Sequence, residues 1–204
     1  MSLVRDLWLR ARWGNPIVVV SGLPRSGTSM MMKMLLAAGL EIVTDEIRAA
    51  DEDNPKGYFE LERVKDLDKS GDKTWLKAHR GKVVKVISFL LKDLPGDNAY
   101  KVVFMRRSLD EVIASQNKML VRRGEPTDPA SDAEMIERYR AHLRKTEALI
   151  GGRKNFRWLD VSYNEILGDS RGPAERVARF LGGRLSVDRM VEAVDASLYR
   201  NRAR

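Results

Sequence analysis

A short stretch with two glycines, Gly22-Leu23-Pro24-Arg25-Ser26-Gly27-Thr28-Ser29, holds one arginine and three hydroxyls. Such a set of groups binds an oxyanion. Glycines let the backbone turn and approach a ligand closely. Where the loop runs into a helix, the N–H groups of the first turn and the helix dipole both favour negative charge. A plain turn between two elements requires neither an arginine nor a run of hydroxyls.

Against the nucleotide-triphosphate loop, G-x-x-x-x-G-K-[ST], Gly22, Gly27 and Ser29 fit. The lysine does not. Thr28 holds its position, and the cation lies inside the loop as Arg25. A metal-dependent phosphoryl-transfer enzyme also places an acidic residue near the end of a core strand to hold Mg²⁺. The apolar run Lys101 to Met105 ends instead in Arg106-Arg107. Positive charge stands where such an enzyme carries a carboxylate. This points to an anionic cofactor handled without a metal, with a P-loop kinase or NTPase as the alternative.

The elements that must position this loop are readable around it. Ile17-Val18-Val19-Val20 is apolar and β-branched, as suits a strand buried on both faces. Thr28 to Leu40 is rich in Met, Leu and Ala, and Gly39 is placed to end that helix. Thr44 to Gly57 reads as an irregular polar loop, with helical patterns resuming near Glu60. Val83 to Ile87, Lys101 to Met105 and Phe156 to Val161 read as further core strands. Ser108 with Glu111, and Ser131 with Glu134, have capping-box spacing and predict helix starts, the second helix running to about Ile150. Further helices are expected over residues 173–181 and 186–198. Strands alternating with helices define an α/β domain with a mostly parallel sheet, whose ligands gather beyond the carboxyl ends of the strands.

Composition narrows the classes. The 204 residues suit one domain over 1–204, and no repeat or linker divides them. Cysteine is absent, which removes disulfides, thiolate ligands and a cysteine nucleophile and fits the cytoplasm. No leader peptide is expected, and no apolar run of about 20 residues is present. The net charge of +8 is scattered and lacks aromatic interleaving, so nucleic acid is not the expected partner. A polyanionic cofactor accounts for part of the excess. Within the basic segment 1–15, Leu3 to Arg10 reads as an amphipathic helix. Packing on the domain is the default, and peripheral contact with a membrane is the alternative. His79 and His142 lack metal-ligand spacing; His142 reads as a helix-surface residue. No metal site is predicted.

Taken together, these motifs resemble the sulfotransferases that use 3′-phosphoadenosine-5′-phosphosulfate (PAPS, leaving PAP). Pro24-Arg25-Ser26-Gly27-Thr28-Ser29 is similar to their 5′-phosphosulfate loop. The resemblance gives Arg25, Ser26, Gly27, Thr28 and Ser29 the 5′-phosphate and the bridging oxygen. The family's second element is a strand-end arginine with a serine eight residues later, both on the 3′-phosphate. Arg107 and Ser115 have that spacing. Val161-Ser162-Tyr163-Asn164-Glu165-Ile166 resembles a segment whose tyrosine lies near the adenine, which implies that role for Tyr163. The likeness covers roughly residues 16–182. It implies a three-layer P-loop-like fold with a central, mostly parallel sheet, and sulfuryl transfer to a hydroxyl or amine.

Lys85, a charge inside an apolar strand pattern, matches a lysine of the cytosolic members. Their catalytic histidine lies two residues later, where this chain has Ile87. Other branches take the base from the loop after the first helix. The candidates are Glu46 and Glu60, with Glu60 preferred because Tyr58 and Phe59 would desolvate it. A non-catalytic PAPS- or PAP-binding protein is the reading that the Ile87 departure leaves open. The acceptor, whether small molecule, carbohydrate or lipid, and the oligomeric state are not written in these motifs.

Overall fold

A computed structural model describes residues 3–45, 59–182 and 185–194. Glu46, Tyr58, and the loop and helix expected over 46–57 and 195–198 therefore lie outside the described residues.

The chain opens with helix α1 (Leu3–Trp13) and enters strand β1 (Ile17–Gly22). After the Gly22–Gly27 loop comes α2 (Thr28–Ala37). It ends as predicted: Gly39, at φ 96°, donates its N–H to Leu36 O, and Leu40 N–H reaches Leu35 O. These are the two bonds of a Schellman stop. Near Glu60, where helical patterns were expected to resume, the chain makes 3₁₀ turns at Glu62–Asp66 and Thr74–His79. The second leads into β2 (Val83–Lys85). A third 3₁₀ segment, Ser88–Asp93, leads to β3 (Tyr100–Arg106). Helices α3 (Leu109–Arg122) and α4 (Asp132–Gly151) precede β4 (Phe156–Ser162). The chain continues through α5 (Tyr163–Gly168), α6 (Arg171–Leu181) and α7 (Val187–Glu192). The short α5 has no counterpart in the sequence reading.

The four strands are all parallel, in the order β2-β1-β3-β4. Because successive side chains alternate between faces, β1 supplies two cores. Val18 and Val20 pack with Met31, Met34 and Leu35 of α2 and with Val177 and Phe180 of α6. Ile17 and Val19 pack with Leu76, Leu91 and Ile150 on the other side. This is the three-layer α/β arrangement expected, with β1 buried on both faces as its composition required.

Both capping boxes place a helix start correctly and get its hydrogen bonds wrong. Ser108 is the N-cap of α3, yet its side chain caps nothing. Glu111 is instead drawn to the guanidinium of Arg107, a charge-assisted contact stronger than a cap. Ser131 closes a 3₁₀ turn (Pro129–Ser131) and has helical φ and ψ, the wrong backbone for a side-chain cap, so its Oγ donates back to Asp128 O. Among the described residues, no helix is long and apolar enough to cross a membrane.

Candidate active site

The loop after β1 lies at the carboxyl edge of the sheet, one strand away from the arginines that end β3. Its backbone is tight. Arg25 has φ 69° and Gly27 has φ 96°. Left-handed residues in a turn are what curl successive N–H groups toward one point. For a non-glycine such as Arg25, this conformation costs about 1–3 kcal/mol and persists only if its surroundings hold it. Arg107 supplies that hold, donating from Nη1 to Arg25 O at 3.0 Å. Inside the loop, buried Ser26 donates from Oγ to Leu23 O at 2.7 Å. This hydroxyl therefore shapes the loop itself. Gly22 is equally constrained, since a Cβ there would stand 2.4 Å from Ser26 Oγ.

Arg25 reaches sideways to α3, donating from Nε to Ser115 Oγ at 3.0 Å. The two residues are 90 positions apart. Ser115 is buried, and this bond shows that it faces the loop. Arg107 is deeply set: its side chain is 6% exposed and that of Glu111 is 2%, with Nε to Oε2 at 2.9 Å. Asn164 donates to the other oxygen of Glu111 at 3.0 Å. The Arg107 guanidinium carbon also lies 4.4 Å from the centre of the Tyr163 ring. Tyr163, in turn, packs directly on Gly27. Arg25, Gly27, Arg107, Ser115 and Tyr163 thus form one connected group.

A second cluster flanks the far side of the helix start. Lys85, at the end of β2, has Nζ 3.4 Å from Ser29 Oγ and 3.4 Å from Glu60 Oε1. Lys85 is only 9% exposed and Glu60 24%. Two candidates proposed for different reasons are an ion pair at the mouth of the loop. Thr44 Oγ1 donates to Glu60 O at 3.0 Å, which anchors the segment carrying the glutamate. Phe59 before it has φ 50°. Glu46 lies outside the described residues. Pro24 is solvent-exposed and Thr28 buried.

His142 corrects the sequence reading. It is not a plain surface residue. Its ring stacks on Phe89 with centroids 3.8 Å apart, and its Nε2 lies 2.9 Å from Ser88 Oγ. Burial holds the imidazole below its ordinary pKa. Sequence reasoning missed this packing because Ser88 and Phe89 belong to a segment it had assigned no structure. It also missed Glu111, whose capping role concealed its burial beside Arg107. Among the described residues, no three His, Asp or Glu side chains gather to hold a metal ion.

The fold is that of known sulfotransferase domains. The sulfotransferase domain of the Synechococcus PCC 7002 olefin synthase superposes with a TM-score of 0.52 at 18% identity, covering 91% of this chain and 79% of that one. The sulfotransferase domain from the curacin biosynthetic pathway gives 0.53 at 15%, over 89% and 78%. A sulfotransferase from Alicyclobacillus acidocaldarius gives 0.50 at 16%, over 85% and 83%. Neither a protein-family model nor a curated protein matches the sequence.

Proposed function

We propose that the protein is a sulfotransferase that takes its donor as PAPS and releases PAP. The observation that carries this reading is the contact between Arg25 Nε and Ser115 Oγ. It joins the loop suited to a 5′-phosphate to the helix suited to a 3′-phosphate, so one bisphosphorylated ligand can engage both. Bound PAPS would supply the sulfuryl group.

The chain's own residues would do the rest. Arg25 and the start of α2 offer positive charge to the 5′ side. Arg107 and Ser115 would hold the 3′-phosphate. Tyr163 offers a ring beside Gly27 for the adenine. Lys85 sets a cation beside Ser29, where negative charge would build on the leaving oxygen; stabilising that charge is commonly the largest part of such catalysis. Glu60 would accept the proton of the acceptor hydroxyl or amine. The Glu60–Lys85 pairing favours an active enzyme over a non-catalytic binding protein, because a carboxylate stands beside the loop although Ile87 replaces the usual histidine.

Calorimetry tests this. PAP without metal should bind at micromolar affinity, and Ser115→Ala should weaken it about tenfold, the worth of one hydrogen bond from a neutral hydroxyl to a charged phosphate. Preference for ATP with Mg²⁺ would instead assign the loop to a kinase or NTPase. PAP binding with no sulfated product from any acceptor would leave the non-catalytic reading.

A further inference from the structure

Helix α1 lies at the opposite end of the molecule from the phosphate loop. Asp6 accepts from Lys101 Nζ at 3.0 Å and from Arg157 Nη1 at 2.5 Å. Lys101 and Arg157 are the second residues of β3 and β4 and are paired in register. The helix is thus pinned to the amino edge of the sheet, about 20 Å of strand from the carboxyl edge. Leu9 is wholly buried beneath it. Lys101 is fixed further by the carbonyls of Phe180 and Leu181, both at 3.1 Å.

The other side of α1 faces water with the wrong residues for water. Val4 is 73% exposed, Leu7 59% and Trp8 47%. Their i, i+3, i+4 spacing puts them on one stripe. Exposed Arg10 and Arg12 flank that stripe. The only acid of the helix, Asp6, is turned inward to the two buried cations. Outwardly the described side chains of the helix present apolar groups and positive charge.

We propose that this face docks the protein on an anionic membrane surface. An apolar stripe with tryptophan, flanked by arginines, is the composition that settles into the headgroup boundary. Anionic lipid supplies the complementary charge. A second copy of the chain fits less well. Three apolar side chains fall far short of the roughly 20–30 residues a side of a stable protein interface, and two such faces would bring arginines together. Docking by α1 turns the amino edge of the sheet to the lipid and leaves the carboxyl edge open to ligands.

The test is co-sedimentation of the full chain with vesicles of phosphatidylcholine plus phosphatidylserine, beside phosphatidylcholine alone. Binding is expected only to the anionic vesicles, falling as salt rises. Trp8→Glu and the pair Arg10→Glu/Arg12→Glu should each reduce it about tenfold or more. All these side chains are exposed, so unchanged thermal unfolding should show that the fold is kept. No binding by the intact chain, equal binding by Trp8→Glu, or equal binding to both vesicle types would overturn the proposal. So would a dimer in solution that Trp8→Glu dissociates, which would assign the face to a second copy.

Discussion

The ring of Tyr163 fills the space that a side chain on Gly27 would need: a Cβ there would lie 2.4 Å from Tyr163 Cδ2. Gly27 is also in the left-handed region, at φ 96°. Gly27 is thus required twice, by its own backbone and by an aromatic 136 residues later in the chain.

Gly27→Ala should therefore disturb the loop and, with it, the proposed binding of PAP. The strained conformation alone costs about 1–3 kcal/mol. The clash must also push Tyr163 or the loop aside. Urea unfolding should show a lower midpoint, and PAP binding should disappear from calorimetry. An alanine variant that binds PAP as the parent does would remove the Gly27–Tyr163 contact from the site.

Arg107 and Glu111 should behave as a buried pair. Arg107→Ala removes the cation from Glu111, whose side chain is 2% exposed in the pair, and loss of one partner of a buried pair costs about 3–5 kcal/mol. Arg107→Ala/Glu111→Ala should recover part of that stability while still failing to bind PAP. Denaturant midpoints of the single and double variants decide this. Equal stability in both would mean the two charges are not coupled.

Glu60→Gln should lower kcat about 10²–10⁴-fold, the usual range for a lost general base, with PAP affinity little changed. Lys85→Met should lower kcat as well, and it should also weaken the donor, because Lys85 Nζ lies 3.4 Å from Ser29 Oγ at the loop. Steady-state kinetics beside PAP calorimetry separates the two effects. Full turnover by Glu60→Gln would send the search for the base elsewhere.

Acid should weaken the fold partly through its histidines. Burial lowers the pKa of His142 from its ordinary 6.5, and burial followed by the charge of Lys82 lowers that of His79. As pH falls below 6.5 the unfolded chain takes up these protons before the folded one does. Stability is therefore greatest above that pH and declines until the folded-state pKa values are passed. In His142→Gln the decline between pH 7 and about 5 should be shallower. An unchanged slope in thermal unfolding would exclude His142 as a contributor.

What the sequence determined by itself was local. A β-branched run, a glycine-bounded loop and a Met/Leu/Ala helix closed by Gly39 are set by neighbours within a few positions, through backbone freedom and side-chain periodicity. The Arg107–Ser115 pair was legible through its resemblance to a family element, and helix geometry agrees in placing Ser115 two turns from Ser108 on the same face. Whatever depended on which side chain wins a shared partner was not legible. Glu111 had the spacing of a cap but took Arg107, because a buried guanidinium attracts a carboxylate more strongly than a backbone N–H does. Lys85 meets Glu60 because residues 42–45 run beside β2, Val43 donating to Val83 O, and hold the Glu60 backbone through Thr44 and Asp45. Tyr163 behind Gly27, and Asp6 beneath Lys101 and Arg157, are likewise consequences of packing, which no local pattern encodes.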